Sequence, residues 1–254
     1  MANVISKFKA TWKGLIIMIS VCLATYNGQL TIKRQLDSIL PQLTSADEIV
    51  LVDDCSNDAT ISIVEQTLAN FSGHSQVIIS QVNQGPIRSF EIALQAAKGD
   101  YIFLSDQDDI WLDDKVVQVM DAFDRGAQLV VHDGIVVDGH EQTIDCSWNH
   151  YNHNQVPQSL LGNIIKNGFT GAMMAFTKKV KAASLPFPKM IVMHDQWLFQ
   201  VSKLKHYQII NIDKPLMKYV RHGNNVTGMH KRKKSQQIKD RINMVKCLLY
   251  INRK

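Results

Sequence analysis

Four times in the first 125 residues, a short apolar run gives way to a segment with helical spacing. LIIMISVCLA (15–24), EIVLVDD (48–54), QVIIS (76–80) and DYIFLSD (100–106) read as strands. Continuous apolar runs this short suit strands covered on both faces. Between them, Leu30, Ile32, Leu36, Ile39 and Leu40 recur at helical intervals up to Pro41. Ile61, Val64 and Leu68 do the same after Ser56 or Asn57, either of which can cap a helix. A third helix is expected from about Ile87 to Lys98, closed by Gly99. A further helix (114–124) and strand (128–137) extend the series. This rhythm specifies an α/β fold, a parallel Rossmann-like sheet with helices on both faces. Ligands in such sheets bind beyond the carboxyl ends of the strands.

The rhythm breaks after residue 140. His140 to Pro157 is polar and aromatic and reads as a loop. GFTGAMMAFT (168–177) mixes glycine with apolar residues, as a strand beside a ligand would. A helix over Asp195–Leu204 and strands at 207–212 and 215–221 follow. At 254 residues the chain can bury one sizeable core and need not hold more than one domain.

Lys7, Lys9 and Lys13 before the first apolar run superficially suggest a signal peptide. The run is far shorter than the ~20 residues that cross a bilayer, and it passes directly into Thr25-Tyr26-Asn27-Gly28. A buried strand is the expectation, with Met18 an alternative start that would make 1–17 a leader. Cys22, Cys55, Cys146 and Cys247 form no Cys-x-x-Cys pair, and His150 and His153 lack a third ligand. No zinc site is expected, and unpaired cysteines fit a reducing cytosol.

Charge is unevenly distributed. From Met229 to Lys254 there are nine Lys/Arg against Asp240, a balance of +8 within a chain of net +5, so the body carries −3. Ile238, Ile242, Val245, Leu248 and Leu249 recur at helical spacing among those bases. A basic amphipathic helix over 230–254 suits an anionic membrane surface; packing on the body with a solvated basic face is the other option.

The chemistry-bearing signals are acidic. Asp106-Gln107-Asp108-Asp109 sits where the fourth strand ends, and three carboxylates in four residues repel one another unless a cation offsets them. Mg²⁺ or Mn²⁺ suits such a site, bound by one or two carboxylates and substrate phosphates. Asp53-Asp54 ends the second strand on the same edge. Each cluster alone could instead cap a helix; together they would line one crevice.

At this point LATYNG (23–28), VDDCSND (52–58) and GDYIFLSDQDDIW (99–111) resemble, in order and spacing, the inverting family 2 glycosyltransferases of GT-A fold. MHDQWL (193–198) and YVRHGNNVTG (219–228) are similar to two weaker motifs of bacterial members that build surface polysaccharides such as O-antigen or capsule. The resemblance implies one catalytic domain over 1–229, with a nucleotide-sugar part (about 15–137) and an acceptor-side part (138–229). It implies Thr25 and Tyr26 against the nucleobase, Asp54 accepting from the base imide, and Asp53 supporting that loop. Arg88 would contact the nucleotide, Asp106 the ribose or sugar, and Asp108 the Mn²⁺ or Mg²⁺ on the diphosphate. Asp195 matches the general base. Where members often carry Arg two residues before the motif's His, this chain has Val220, with Arg221 beside His222; either of the latter two is a possible diphosphate or metal contact.

The implied reaction moves a hexosyl group from a UDP-hexose or dTDP-rhamnose donor to a saccharide hydroxyl on a lipid-linked acceptor. The implied location is cytoplasmic, peripheral on the inner face of the membrane. No Gln-x-x-Arg-Trp motif occurs, which argues against a processive synthase. A sugar-phosphate nucleotidyltransferase would need a Gly-rich phosphate loop with a base, whereas Ala24–Gly28 has one glycine and no base. A nucleic-acid binder using the lysine tail would leave both acidic clusters without purpose.

Overall fold

Side chains alternate along a strand, so a strand covered on both faces must be apolar throughout. The computed structural model, which describes residues 17–221 and 233–251, shows this in three of the first four strands. The one at the sheet edge, His74–Ile79, is largely exposed, contrary to the covered strand expected at 76–80. β1 (Ile19–Thr25), β2 (Glu48–Asp53), β3 (His74–Ile79) and β4 (Tyr101–Ser105) are parallel neighbours in the order β3-β2-β1-β4. Ile19, Val21, Ile49, Leu51 and Phe103 enter one hydrophobic cluster, whereas Cys22, Val50, Val52, Ile102 and Leu104 enter another on the opposite face. The first face is covered by α1 (Ile32–Ile39) and α2 (Thr60–Leu68), the second by α3 (Pro86–Ala96) through Phe90, Ala93 and Leu94.

Local details depart from expectation. Neither Ser56 nor Asn57 caps α2; its N-cap is Ala59, because Ser56 is committed to Asp53. α1 does stop before Pro41, ending at Ile39, with Pro41 inside a following 3₁₀ turn, Leu40–Gln42. Gly99 is no helix cap either. Its N–H donates to Ser20 Oγ at 2.7 Å, and a Cβ there would lie 2.5 Å from that oxygen.

The sheet is not parallel throughout. After β5 (Ile110–Trp111) and α4 (Lys115–Asp124), β6 (Leu129–Val137) does not pair with β4. β8 (Met174–Thr177) lies between them, antiparallel to both. It is a four-residue strand in a glycine-rich stretch, too short to announce its direction. Of 168–177 only these residues are strand, since Gly171–Met173 is a 3₁₀ turn. The strands expected at 207–212 and 215–221 are one strand, β9 (Ile209–Val220), parallel to β6 and antiparallel to β5. Its register shifts near Asp133, which pairs with Pro215, a residue that has no N–H to give a regular ladder. The expected loop at 140–157 holds β7 (Thr143–Asp145), which pairs with β6, and α5 (Trp148–Tyr151).

The remaining helices are α6 (Leu160–Ile165), α7 (Lys178–Ser184), α8 (His194–Leu204) and α9 (Lys234–Ile251). The apolar row read in the tail divides between two faces of α9. Met244, Cys247 and Leu248 are buried in the second cluster, while Ile238, Ile242, Val245 and Leu249 are exposed. No described helix is long and apolar enough to cross a membrane.

Candidate active site

The acidic edge is held from behind by α1. Gln35 Nε2 donates to Ser105 Oγ at 2.7 Å and Arg34 Nη2 to the Asp108 carbonyl at 2.9 Å, while Ser38 Oγ accepts from the Trp111 N–H at 3.0 Å. The Asp106–Asp109 turn is thereby fixed between β4 and β5. Asp106 and Asp108 are half-buried and Asp109 is buried. Enclosure by packed atoms, then the charges of Asp108 and Asp195, push the Asp106 carboxyl up to about 7. Burial, with Asp108 and Asp106 beside it, also holds Asp109 well above the usual carboxylate range.

Asp109 has a structural job. Its Oδ1 accepts the Val220 N–H at 3.2 Å, tying the acidic turn to the end of β9, and its Oδ2 is buried without a partner. Behind it Lys115 is buried, its Nζ donating to the Ala172 carbonyl at 2.8 Å and lying 4.2 Å over the Trp111 ring. Burial brings that amine down to about 7, against the opposing pull of Asp109 and Asp106.

Among the described residues no three His, Cys, Asp or Glu side chains converge to hold a metal by themselves. Mutually repelling carboxylates with an orphaned oxygen nevertheless fit a hard divalent cation that completes its shell with water and phosphate oxygens.

The ends of β1 and β2 form a second, tightly bonded corner. Asp53 is buried; its Oδ1 accepts from Thr25 Oγ1 (2.8 Å) and Ser56 Oγ (2.5 Å), and its Oδ2 from the Ser56 N–H (2.8 Å). Thr25 is thus buried against Asp53. Asp54 accepts the N–H groups of Gln84 (2.8 Å) and Gly85 (2.7 Å), which fixes the turn opening α3. Gly85 has φ +83°, a conformation that favours glycine. A carboxylate offers about four acceptor sites, so Asp54 keeps capacity for a further donor. Tyr26 is exposed. Its backbone is clamped by Gln107, whose Oε1 accepts the Tyr26 N–H at 2.8 Å and whose Nε2 donates to the Tyr26 carbonyl at 3.1 Å. A Cβ on Gly28 would collide with Gln107 Oε1, so the clamp needs glycine there.

Other residues singled out in the sequence stand apart from this corner. Arg88, exposed in the first turn of α3, is paired with Glu91 at 2.7 Å. Arg221 donates its N–H to the Val137 carbonyl at 2.7 Å and lies 5.5 Å over the Tyr151 ring. His222 lies outside the described residues.

Asp195 is buried in the first turn of α8. Its Oδ1 accepts from Asn167 Nδ2 at 3.0 Å and from the Gln196 N–H at 2.5 Å. Burial pushes its carboxyl up to about 6 despite those donors. It is near enough to the acidic edge for its charge to raise Asp106, and it also lines a cavity of about 340 Å³ beside α6 and α9. Asp195 therefore stands between the carboxylate edge and an open pocket. Gln107 stood in the acidic motif without a role of its own, and Lys115 and Asn167 gave no signal in the sequence. Each acts on a partner at least 28 residues away, as in Asn167 on Asp195.

With this geometry established, similarity to known proteins places it. The family model described as Glycosyl transferase family 2 matches residues 20–207. The dTDP-rhamnosyl transferase RfbG of Shigella flexneri is 28% identical over 222 residues, covering 81% of this chain and 73% of that protein. Three further curated relatives align over only 33–39% of their own length. Among solved structures, S. aureus TarS 1–349 in complex with UDP-GlcNAc superposes with TM-score 0.67 at 19% identity, over 92% of this chain and 66% of that one. Glucosyl-3-phosphoglycerate synthase from Mycobacterium tuberculosis, in complex with Mn²⁺, UDP and glucosyl-3-phosphoglycerate, gives TM-score 0.61 at 18% identity, over 97% and 83%. Those two likenesses establish a shared GT-A fold. With the family model matched over most of its length and both acidic strand ends on one edge of such a sheet, this chain belongs to glycosyltransferase family 2.

Proposed function

We propose that the protein catalyses inverting, non-processive, metal-dependent transfer of a hexosyl residue from a UDP- or dTDP-linked donor to a hydroxyl of a saccharide acceptor. The observation that carries this reading is the position of Asp195, a buried carboxylate electrostatically coupled to Asp106 and open to the 340 Å³ cavity. A base there can serve an acceptor hydroxyl in the cavity while the donor lies along the acidic edge.

The donor nucleotide is assigned to the corner of Thr25, Tyr26, Asp53 and Asp54, with Asp106 toward the ribose or sugar. In this reading Arg88 leaves Glu91 to reach the nucleotide. Asp108, beside Asp106, would hold Mn²⁺ or Mg²⁺, which as a Lewis acid offsets charge on the departing diphosphate. Asp195 takes the proton of the acceptor hydroxyl as its oxygen bonds to the anomeric carbon. The bond from that carbon to the β-phosphate oxygen breaks in the same step, the nucleoside diphosphate leaves, and the configuration inverts. An Asp with its carboxyl near 6 is ionised at pH 7, as a base must be.

We further assign α9 a peripheral contact with anionic membrane, and hence a lipid-linked acceptor at the cytoplasmic face. The exposed row Ile238, Ile242, Val245 and Leu249, with Lys239 and Lys246 on the same outward half of the helix, supports it.

The test combines calorimetry of UDP and dTDP with Mn²⁺ and a transfer screen of nucleotide sugars. Asp108→Asn should lose metal-dependent nucleotide binding. Asp195→Asn should keep that binding and lose transfer by roughly 10²–10⁴-fold. Turnover untouched by chelator would remove the metal from the mechanism, and full transfer by Asp195→Asn would remove the base.

A further inference from the structure

One wall of the cavity beside Asp195 comes from neither the sheet nor the helices around it. Gln237, Asp240, Arg241 and Met244, successive positions on one face of α9, line it. Facing them are Asn152 and Asn154 after α5, and residues 164–167 at the end of α6. α9 is held in this place by its buried residues Met244, Cys247 and Leu248, and by Arg241, whose Nε and Nη2 donate to the Ile165 carbonyl at 3.2 and 2.9 Å. At about 340 Å³ the cavity falls within the range of roughly 300–1,000 Å³ typical of small-molecule sites.

Its lining suits a pyranoside. Amide side chains offer both donors and acceptors, as a ring of hydroxyls requires, and Trp148 and Phe169 offer apolar surface for C–H faces. Asn154 lines the space, and its Nδ2, shut from solvent and unpaired, meets a ligand there once the side chain turns towards it. Buried donors are rarely left so unless a ligand or water completes them. The charged lining is balanced, Asp195 and Asp240 against Lys166 and Arg241, which suits a neutral ligand such as a sugar ring.

We propose that α9 is the selecting wall of an acceptor subsite, which seats one hexopyranose of the acceptor between Asn154 and Gln237. This rests on Asp195 being the base that the seated hydroxyl meets. It gives the C-terminal helix two separate duties on two faces: sugar selection inward, and contact with the surroundings outward. Loss of the inward face then changes which acceptor is used and leaves donor binding alone.

The experiment uses the full chain and a named panel: the octyl glycosides of β-glucose, β-galactose, β-N-acetylglucosamine and α-rhamnose, followed by saturation-transfer NMR. Wild type should bind at least one of them. Gln237→Trp, which fills the cavity from a half-buried helix position, should weaken that binding at least tenfold while the UDP–Mn²⁺ dissociation constant stays within twofold. Asn154→Ala should weaken it on the opposite wall with no loss of thermal stability, since the deleted donor has no partner in the folded protein; this variant decides the matter if Gln237→Trp does not fold. The proposal is overturned if no panel member binds wild type, if binding survives both substitutions, or if UDP binding falls in parallel. The base assignment fails separately: Asp195→Asn would then transfer at full rate while Gln237→Trp still excludes the glycoside.

Discussion

Asn167 holds Asp195. Its Nδ2 donates to Oδ1 at 3.0 Å, and its own Oδ1 accepts from Asn163 Nδ2 at 3.1 Å. Asn163 is fully buried and held in turn by Gln158 (2.8 Å) and Gln200 (2.7 Å). A chain of buried amides thus fixes one oxygen of the carboxylate and stabilises its ionised form.

Removing that donor should raise the Asp195 carboxyl further above its present value of about 6. In Asn167→Ala the acid limb of kcat/KM is therefore expected to move to higher pH. If the carboxyl rises to roughly 7, about 1.4 kcal/mol, the deficit should be about threefold at pH 6.5, approach tenfold at pH 5, and vanish by pH 8.5. A pH–rate profile reads this directly. An unmoved limb with a uniformly lower rate would mean that Asn167 only supports packing.

Gln107 clamps the Tyr26 backbone from both sides. Two hydrogen bonds at about 1 kcal/mol each keep the β1 loop against the acidic turn. Gln107→Ala is expected to raise the KM for the nucleotide sugar about three- to tenfold with little change in kcat. Initial-rate kinetics with varied donor check this, and an unchanged KM rejects the loop as a donor contact.

The same carboxylates make stability depend on pH. Asp106, near 7, and Asp195, near 6, are raised above their unfolded values, so the stability they contribute is complete below about 4 and is lost as pH climbs through 6 and 7. Lys115 has the opposite sign. Its penalty is already full below its folded value of about 7 and stays flat across that window. The buried His132 and His194, held below the usual imidazole range, gain stability over the same rise, so the carboxylate contribution is read by substitution. From pH 5 to pH 7 the melting temperature of metal-free Asp106→Asn should fall less, or rise more, than that of wild type, and calorimetric scans at the two values measure it; an identical change in both proteins would contradict the raised Asp106 carboxyl.

The outward row of α9 tests the membrane assignment without disturbing the core. Ile242→Glu with Leu249→Glu changes two exposed positions, so the melting temperature should hold. Sedimentation with anionic phosphatidylglycerol vesicles should show at least tenfold weaker binding than wild type, with the remainder falling as salt rises. If the double variant cosediments as well as wild type, the outward row is not the contact.

The parallel half of the sheet was legible because burial on both faces leaves one kind of sequence, a continuous apolar run, and β1, β2 and β4 conform to it. The acidic strand ends were equally plain, since Asp53-Asp54 and Asp106–Asp109 follow those runs directly. β8 was not, because four residues carry too little pattern to reveal direction, and its antiparallel pairing is decided by the two strand edges it joins. The division of α9 into a buried and an exposed apolar face was hidden for a related reason: Leu248 and Leu249 are adjacent in sequence, and only the body they meet separates them.

What the sequence determined by itself was therefore local and periodic: alternation set the layers, and three carboxylates in four residues marked the edge where a cation is welcome. What tertiary structure alone decided was who meets whom. Asn167 reaches Asp195, Gln107 reaches Tyr26, and α9 closes the cavity, each across a separation that no periodicity spans. Such pairings are selected by the packing of the whole core, because a buried polar group is tolerated only where a distant partner completes it.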